Sequence, residues 1–123
     1  MQDLIIEATK YTPHIELLSS RDLLIFRGKS YPENTFDFYA KALEWIEEYL
    51  AKRQNPATLD LDLAYLNSSS SKLFFDLFDL LESHSDKGVK VNWYYDEENE
   101  SALESGEEFM EDFTKLEFKL IKK

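Results

Sequence analysis

The stretch Thr58 to Leu66 sets Leu59, Leu61, Leu63 and Tyr65 against Asp60, Asp62 and Ala64. Strict alternation over that length reads as a strand with one apolar face. Directly behind it comes Asn67-Ser68-Ser69-Ser70-Ser71-Lys72, and then an amphipathic run carrying Leu73, Phe74, Leu77, Phe78, Leu80 and Leu81 at helical spacing. A strand that hands over to a helix through small polar residues is the first half of a strand-helix-strand crossover. It constrains the chain toward helices layered on a sheet.

The flanking segments agree. Leu4-Ile5-Ile6-Glu7-Ala8, Ile15 to Leu18 and Leu23 to Arg27 read as three short strands, separated by Thr12-Pro13 and Ser19-Ser20-Arg21-Asp22, with Gly28 as a stop. Phe36, Tyr39, Leu43, Ile46 and Leu50 follow at spacings of 3 and 4 residues, behind the capping stretch Tyr31-Pro32-Glu33-Asn34-Thr35. A second ridge, Phe38, Ala42, Trp45 and Tyr49, runs beside this stripe. It reads either as more buried surface or as an aromatic contact for a partner, with Phe38, Trp45 and Tyr49 as the candidates.

After the second helix, which stops near Lys87-Gly88, Val89 to Tyr95 is a strand. Ala102, Phe109, Met110 and Phe113 mark a third helix interrupted by Gly106, and Leu116 to Ile121 is a closing strand. The expected order is β-β-β-α-β-α-β-α-β: an α/β (α+β) fold, a single domain over 1–123, with three main helices on a mixed sheet and a meander at its N-terminal edge.

Charge and composition narrow the function. Against 14 basic residues stand 25 acidic ones, for a formal net charge of −11. That argues against nucleic acid and against an anionic membrane as partner. There is no cysteine, hence no disulfide, thiolate metal site or cysteine nucleophile. No secretory leader and no long apolar span is visible, which makes the cytoplasm the expected location. A Ser68/His84 catalytic pair is excluded by length, since about 16 helical residues separate them by roughly 24 Å. No Gly-rich phosphate loop, nucleophile elbow or His-Glu-x-x-His occurs, so no enzyme, cofactor or metal is expected.

Two segments remain for function. The acidic tract from Asp96 to Asp112 reads as a solvated helix face or as a docking surface for a basic partner. Its Asp96, Glu98 and Glu100 have alternate spacing, but Ser101 stands where a calcium loop needs glycine. The serine junction reads as helix capping or as a phosphate site. One N-cap uses one residue, and this junction offers Asn67 and four serines. Free N–H groups and the positive end of the helix dipole converge there. Lys72 lies within the first turn, where it can contact an anion.

The strand-then-serine junction resembles the phosphorylatable loop of STAS domains, the anti-anti-sigma factors. Four segments resemble a narrower group, the SiaC family of regulatory phosphoproteins: Tyr31-Pro32-Glu33-Asn34, Glu44 to Leu50, Tyr65 to Lys72, and Val91-Asn92-Trp93-Tyr94-Tyr95-Asp96. The resemblance implies a STAS-like fold and a non-enzymatic bacterial partner switch. It implies that a dedicated protein kinase phosphorylates the hydroxyl after the Asn and that a PP2C-type phosphatase removes the phosphate. It further implies that the unphosphorylated form binds an effector protein, in the best-known members a diguanylate cyclase, in a pathway tied to biofilm formation. By position the acceptor is Ser68, where family members often carry Thr. The departure leaves Ser69 and Ser70 open as acceptors, within a turn completed by Asn67 and Lys72.

Overall fold

A computed structural model describes every residue from Met1 to Lys123. The element order is β1 (Leu4–Ile6), β2 (His14–Leu18), β3 (Leu23–Ser30), α1 (Thr35–Lys52), β4 (Ala57–Leu66), α2 (Ser68–Ser83), β5 (Val89–Tyr95), α3 (Glu100–Asp112) and β6 (Glu117–Lys122). All six strands form one sheet in the order β1-β2-β3-β4-β5-β6. β1, β2 and β3 are antiparallel neighbours; β3 to β6 are parallel. Each parallel pair is joined by a helix. Three successive crossovers of the same hand, stepping the same way across the sheet, lay all three helices on one face.

The alternation in β4 explains the two faces. Ala57, Leu59, Leu61 and Leu63 are buried, while Thr58, Asp60 and Asp62 are only half-buried on the other side. β5 repeats the pattern, with Val89, Val91 and Trp93 inward and Lys90 outward. The inward residues meet Ile46 and Leu50 of α1, Phe74, Leu77, Phe78 and Leu81 of α2, and Phe109 of α3 in a single core. The outward face is polar. Asn92 Nδ2 donates to Asp60 Oδ1 at 2.9 Å, and Lys123 Nζ lies 2.9 Å from Asp62 Oδ1. Each fully buried Leu or Phe in this layer contributes about 1.5–3 kcal/mol relative to exposure.

Several boundaries differ from the sequence expectation. β3 runs on through Gly28 to Ser30; a register shift against β4 between Gly28 and Lys29 absorbs the glycine, whose φ is 121°. The strand therefore bulges at Gly28 and does not stop there. β1 ends at Ile6 and not at Ala8. α2 begins at Ser68, so the serines stand at the helix N-terminus, as expected, and form its first turn. α3 continues through Gly106 without a break. A Cβ at Gly106 would sit 2.6 Å from Cδ1 of Trp93 and 2.8 Å from Cδ2 of Leu120. The glycine is there for close approach of helix to sheet. The Trp93 indole N–H donates to the Ala102 carbonyl at 2.9 Å across that contact.

Candidate functional site

The serine turn sits at the carboxyl end of β4, in the middle of the sheet, which is where ligand and partner sites collect in parallel α/β folds. Asn67 is the N-cap: its Oδ1 accepts from the Ser70 N–H at 2.8 Å, and its own N–H donates to the Ser30 carbonyl at 3.0 Å. The cap residue is thus pinned to the end of β3. Helix geometry then rotates successive side chains by roughly 100°, so neighbouring serines have different surroundings. Ser68 and Ser69 are exposed, whereas Ser70 is fully buried.

Ser70 ends a chain of three buried hydroxyls. Its Oγ lies 2.7 Å from Ser30 Oγ, which in turn lies 2.6 Å from the Tyr39 hydroxyl. The chain joins the first turn of α2, the last residue of β3 and the second turn of α1. Burial pushes the Tyr39 phenol well above the ordinary tyrosine range, and the Ser30 hydrogen bond opposes this in part. Tyr39 stays a neutral donor-acceptor there. Its ring packs edge-on against Phe38 and Phe74, with centroids 4.7 and 5.6 Å away. Hydroxyls buried with partners in this way cost little, and leaving one unpartnered costs about 1–3 kcal/mol.

Lys72 stands one turn beyond Ser68 on an exposed face, with Nζ 3.5 Å from Asp76 Oδ2. α2 carries no acidic residue in its first turn. The positive end of its dipole therefore faces only neutral hydroxyls and one exposed lysine. Nothing at this corner forms a nucleophile-base pair: both histidines lie elsewhere, His14 in β2 and His84 at the end of α2. No group of three or more His, Cys, Asp or Glu side chains is arranged to hold a metal ion.

Among the sequence candidates, Asn67, Ser68, Ser69, Ser70 and Lys72 are brought together at this corner. Phe38, Trp45 and Tyr49 are not one surface. Phe38 is half-buried against Tyr39 near the start of α1. Trp45 stacks on Tyr49 at 5.3 Å and donates its indole N–H to the Gln2 carbonyl at 2.8 Å, under the N-terminal residues. Tyr49 is 2% exposed and donates to Asp22 Oδ1 at 2.6 Å. Burial and the Asp22 carboxylate both push its phenol upward. Trp45 and Tyr49 lie about 15 and 21 Å along α1 from its first residue, away from the serine turn. The acidic residues Glu100, Glu104, Glu107, Glu108, Glu111 and Asp112 all lie exposed on α3. Ser30 and the hydroxyl role of Tyr39 had no local signal in the sequence, because their partner Ser70 is 40 residues from Ser30. No helix is long and apolar enough to cross a membrane.

Comparison with known proteins bears on this corner. Residues 6–123 match the family described as SiaC family regulatory phosphoprotein. An uncharacterised protein of Pseudomonas aeruginosa strain UCBPP-PA14 is 43% identical over 114 residues, covering 91% of this chain and 90% of that protein. The structure of SiaC of Pseudomonas aeruginosa superposes with a TM-score of 0.86 at 38% identity, over 98% of this chain and 97% of that one. In the crystal structure of the diguanylate cyclase SiaD in complex with its activator SiaC, from the same organism, the matching chain has a TM-score of 0.87 at 39% identity, with 98% of each chain covered. With a capped, acid-free serine turn at the centre of this fold and the whole length matched, the chain belongs to the SiaC family of regulatory phosphoproteins, proteins that regulate a partner and are not themselves enzymes.

Proposed function

We propose that this protein is a phosphorylation-controlled partner switch whose acceptor is Ser68. A cognate kinase adds the phosphate, a PP2C-type phosphatase removes it, and the unphosphorylated form binds and stimulates an effector, a diguanylate cyclase. The observation that carries this reading is the difference between serines in one helical turn: Ser68 is exposed at an acid-free, Asn-capped N-terminus, while Ser70 is buried and held by Ser30. Burial argues against Ser70 as an acceptor. Ser69 remains a second exposed hydroxyl.

A phosphate on Ser68 would bring about −1.5 to −2 charges to a neutral corner. The dipole of α2 favours it by about 0.3–1 kcal/mol, and Lys72 is within one turn. A partner packed on the corner would have to strip water from that dianion, a cost of the kind that excludes binding without any change of fold. What supports a cyclase as the effector is the complex formed by the 39%-identical activator SiaC with SiaD. The test is phosphorylation of Ser68→Ala by the cognate kinase, followed by intact mass and site mapping. The expected result is loss of the phosphate with retained effector binding, and Ser68→Asp binding at least ten-fold more weakly. Full stoichiometric phosphorylation of Ser68→Ala would remove Ser68 as the acceptor.

A further inference from the structure

β6 ends the sheet: it pairs with β5 on one side and with no strand on the other. The pairing with β5 runs from Glu117 to Lys122 without a register shift. Just beyond it, the backbone N–H of Lys123 donates to the Tyr95 carbonyl at 2.9 Å. Residues that face a neighbouring strand alternate along a ladder, so Glu117, Lys119 and Ile121 face β5 as Lys123 does. Phe118, Leu120 and Lys122 therefore turn their N–H and C=O groups to the open side. Phe118 and Leu120 are half-buried on the helix face, with the Phe118 ring 5.6 Å from that of Phe78 and Leu120 against Gly106. Lys119 is exposed on the opposite face. The charge of this edge is unlike the rest of the molecule. Residues 115–123 hold four lysines against one glutamate, on a chain of net charge −11. Lys122 lies 3.9 Å from Glu97 and Lys123 lies 2.9 Å from Asp62. Lys115 and Lys119 are exposed and take part in no ion pair.

We infer that the open edge of β6 is a docking site for an extended segment of a protein partner, one that alternates apolar with acidic residues and adds to the sheet as a further antiparallel strand. The backbone supplies the affinity: Phe118, Leu120 and Lys122 can each exchange two hydrogen bonds with the residue opposite. The side chains select the occupant. Apolar residues of the incoming strand stand opposite Phe118 and Leu120 and extend the apolar layer. The residues between them stand on the outer face, opposite Lys119, where Asp or Glu gains a cross-strand pair and Lys or Arg is repelled. Lysine on an edge strand is an ordinary device against unwanted pairing. It excludes basic strands and leaves acidic ones admitted, so the same lysines that blunt the edge set its specificity. A second copy of this chain would bring its own four lysines to the edge, which disfavours it as the occupant. The other edge is built differently: β1 is three apolar residues long, so it is protected by shortness and not by charge. β6 lies two strands from β4 and the serine turn, and the inference does not depend on which serine is the acceptor.

The experiment follows amide hydrogen exchange of the whole chain by NMR, with three peptides of about eight residues. One repeats Val-Glu, one repeats Val-Lys, and the third is the Val-Glu peptide N-methylated at its valines, which removes the donors that would face β6. In the free protein the amides of Phe118, Leu120 and Lys122 should exchange fast, while those of Lys119 and Ile121 are protected. Saturating Val-Glu peptide should slow the three open amides about ten-fold or more. The Val-Lys and N-methylated peptides should not protect them. Lys119→Glu should weaken binding of the Val-Glu peptide about ten-fold with an unchanged melting temperature, because the side chain is exposed and unpaired. Equal protection by the Val-Lys peptide, equal binding of the N-methylated peptide or by Lys119→Glu, or no protection at all would each overturn the assignment. Protection of the three amides in the free protein, together with a dimeric mass in sedimentation, would overturn it in favour of a second copy.

Discussion

The corner that starts α2 and the corner that starts α3 are built alike at the first step. Asn67 Oδ1 accepts from the Ser70 N–H at 2.8 Å, and Asn99 Oδ1 accepts from the Ala102 N–H at 3.1 Å. Each is an Asn cap at the end of a parallel strand. They part at the next step. α3 has Glu100 in its first turn, a permanent charge on the dipole, and α1 likewise has Asp37 behind its Asn34 cap. α2 has only serines. The lesson is that capping does not account for the serines, since two neighbouring helices are capped without them. The corner of α2 is the one of the three left without a fixed anion. That is what a site for a removable anion requires.

The anchoring also differs. α3 is held in mid-helix by the close approach of Gly106 to Trp93, and at its own cap by the Asn99 Nδ2 bond to the Ala64 carbonyl at 2.9 Å. α2 is held at the corner itself, through Ser70, Ser30 and Tyr39. The largest effect should come from breaking the first of these. Gly106→Ala forces a methyl into the Trp93 ring and should cost about 1–3 kcal/mol in denaturant unfolding, with unchanged phosphorylation of Ser68. A loss below half a kcal/mol would mean that α3 is not fixed by that contact.

Tyr39→Phe strikes the anchor of α2. Removing the hydroxyl leaves Ser30 and Ser70 with one partner between them and should cost about 1 kcal/mol. It also changes the response to alkali. The folded state keeps Tyr39 protonated far above its ordinary value of 10.0, and Tyr49 likewise. The unfolded chain ionises both near that ordinary value. Stability is therefore fully present below about pH 10 and falls as pH rises past it. The decline should be shallower in Tyr39→Phe, by guanidinium titration at a series of pH values; an identical slope would show that Tyr39 ionises in place.

The caps themselves come next. Asn67→Ala should lose about 1 kcal/mol. Asn99→Ala should lose somewhat more, because it also gives up the bond to Ala64. Equal losses, by thermal unfolding of both variants, would show that the side-chain tie across to β4 adds nothing. The smallest effect sharpens the comparison most directly. Ser68→Asp should stabilise the isolated protein by about 0.3–1 kcal/mol at low salt and by less at high salt, because it supplies the anion that α2 lacks. Ser101→Asp, beside Glu100, should yield less. If the two gains match, the absence of a first-turn acid in α2 has no electrostatic consequence.

Much of this was legible in the chain. The alternation of Leu59, Leu61 and Leu63 with Asp60 and Asp62 predicts β4 and its two faces, and the structure has both. The serine junction was legible as a helix N-terminus, and the resemblance of four segments pointed to the family that the whole-length match shows. Gly28 and Gly106 were misread as breaks. A glycine in a pattern signals freedom of backbone or absence of a side chain, and sequence does not say which: Gly28 has a φ of 121°, while Gly106 is an ordinary helical residue with Trp93 against it. Phe36 was read into the buried stripe. The buried face of α1 is centred on Tyr39, Ala42, Ile46, Tyr49 and Leu50, and Phe36, which is exposed, lies roughly 90° around the helix from its middle.

Order and type of the elements follow from local periodicity, because a period of two or of 3.6 is a property of neighbours along the chain. The fate of each serine does not. Ser68 and Ser70 are two residues apart and roughly 200° apart around the helix axis, and what stands opposite Ser70 comes from β3 and α1, 40 and 31 residues earlier. Burial and hydrogen bonding are properties of what the fold carries to a point in space. One serine became a structural bond and another an open hydroxyl only when three distant segments met.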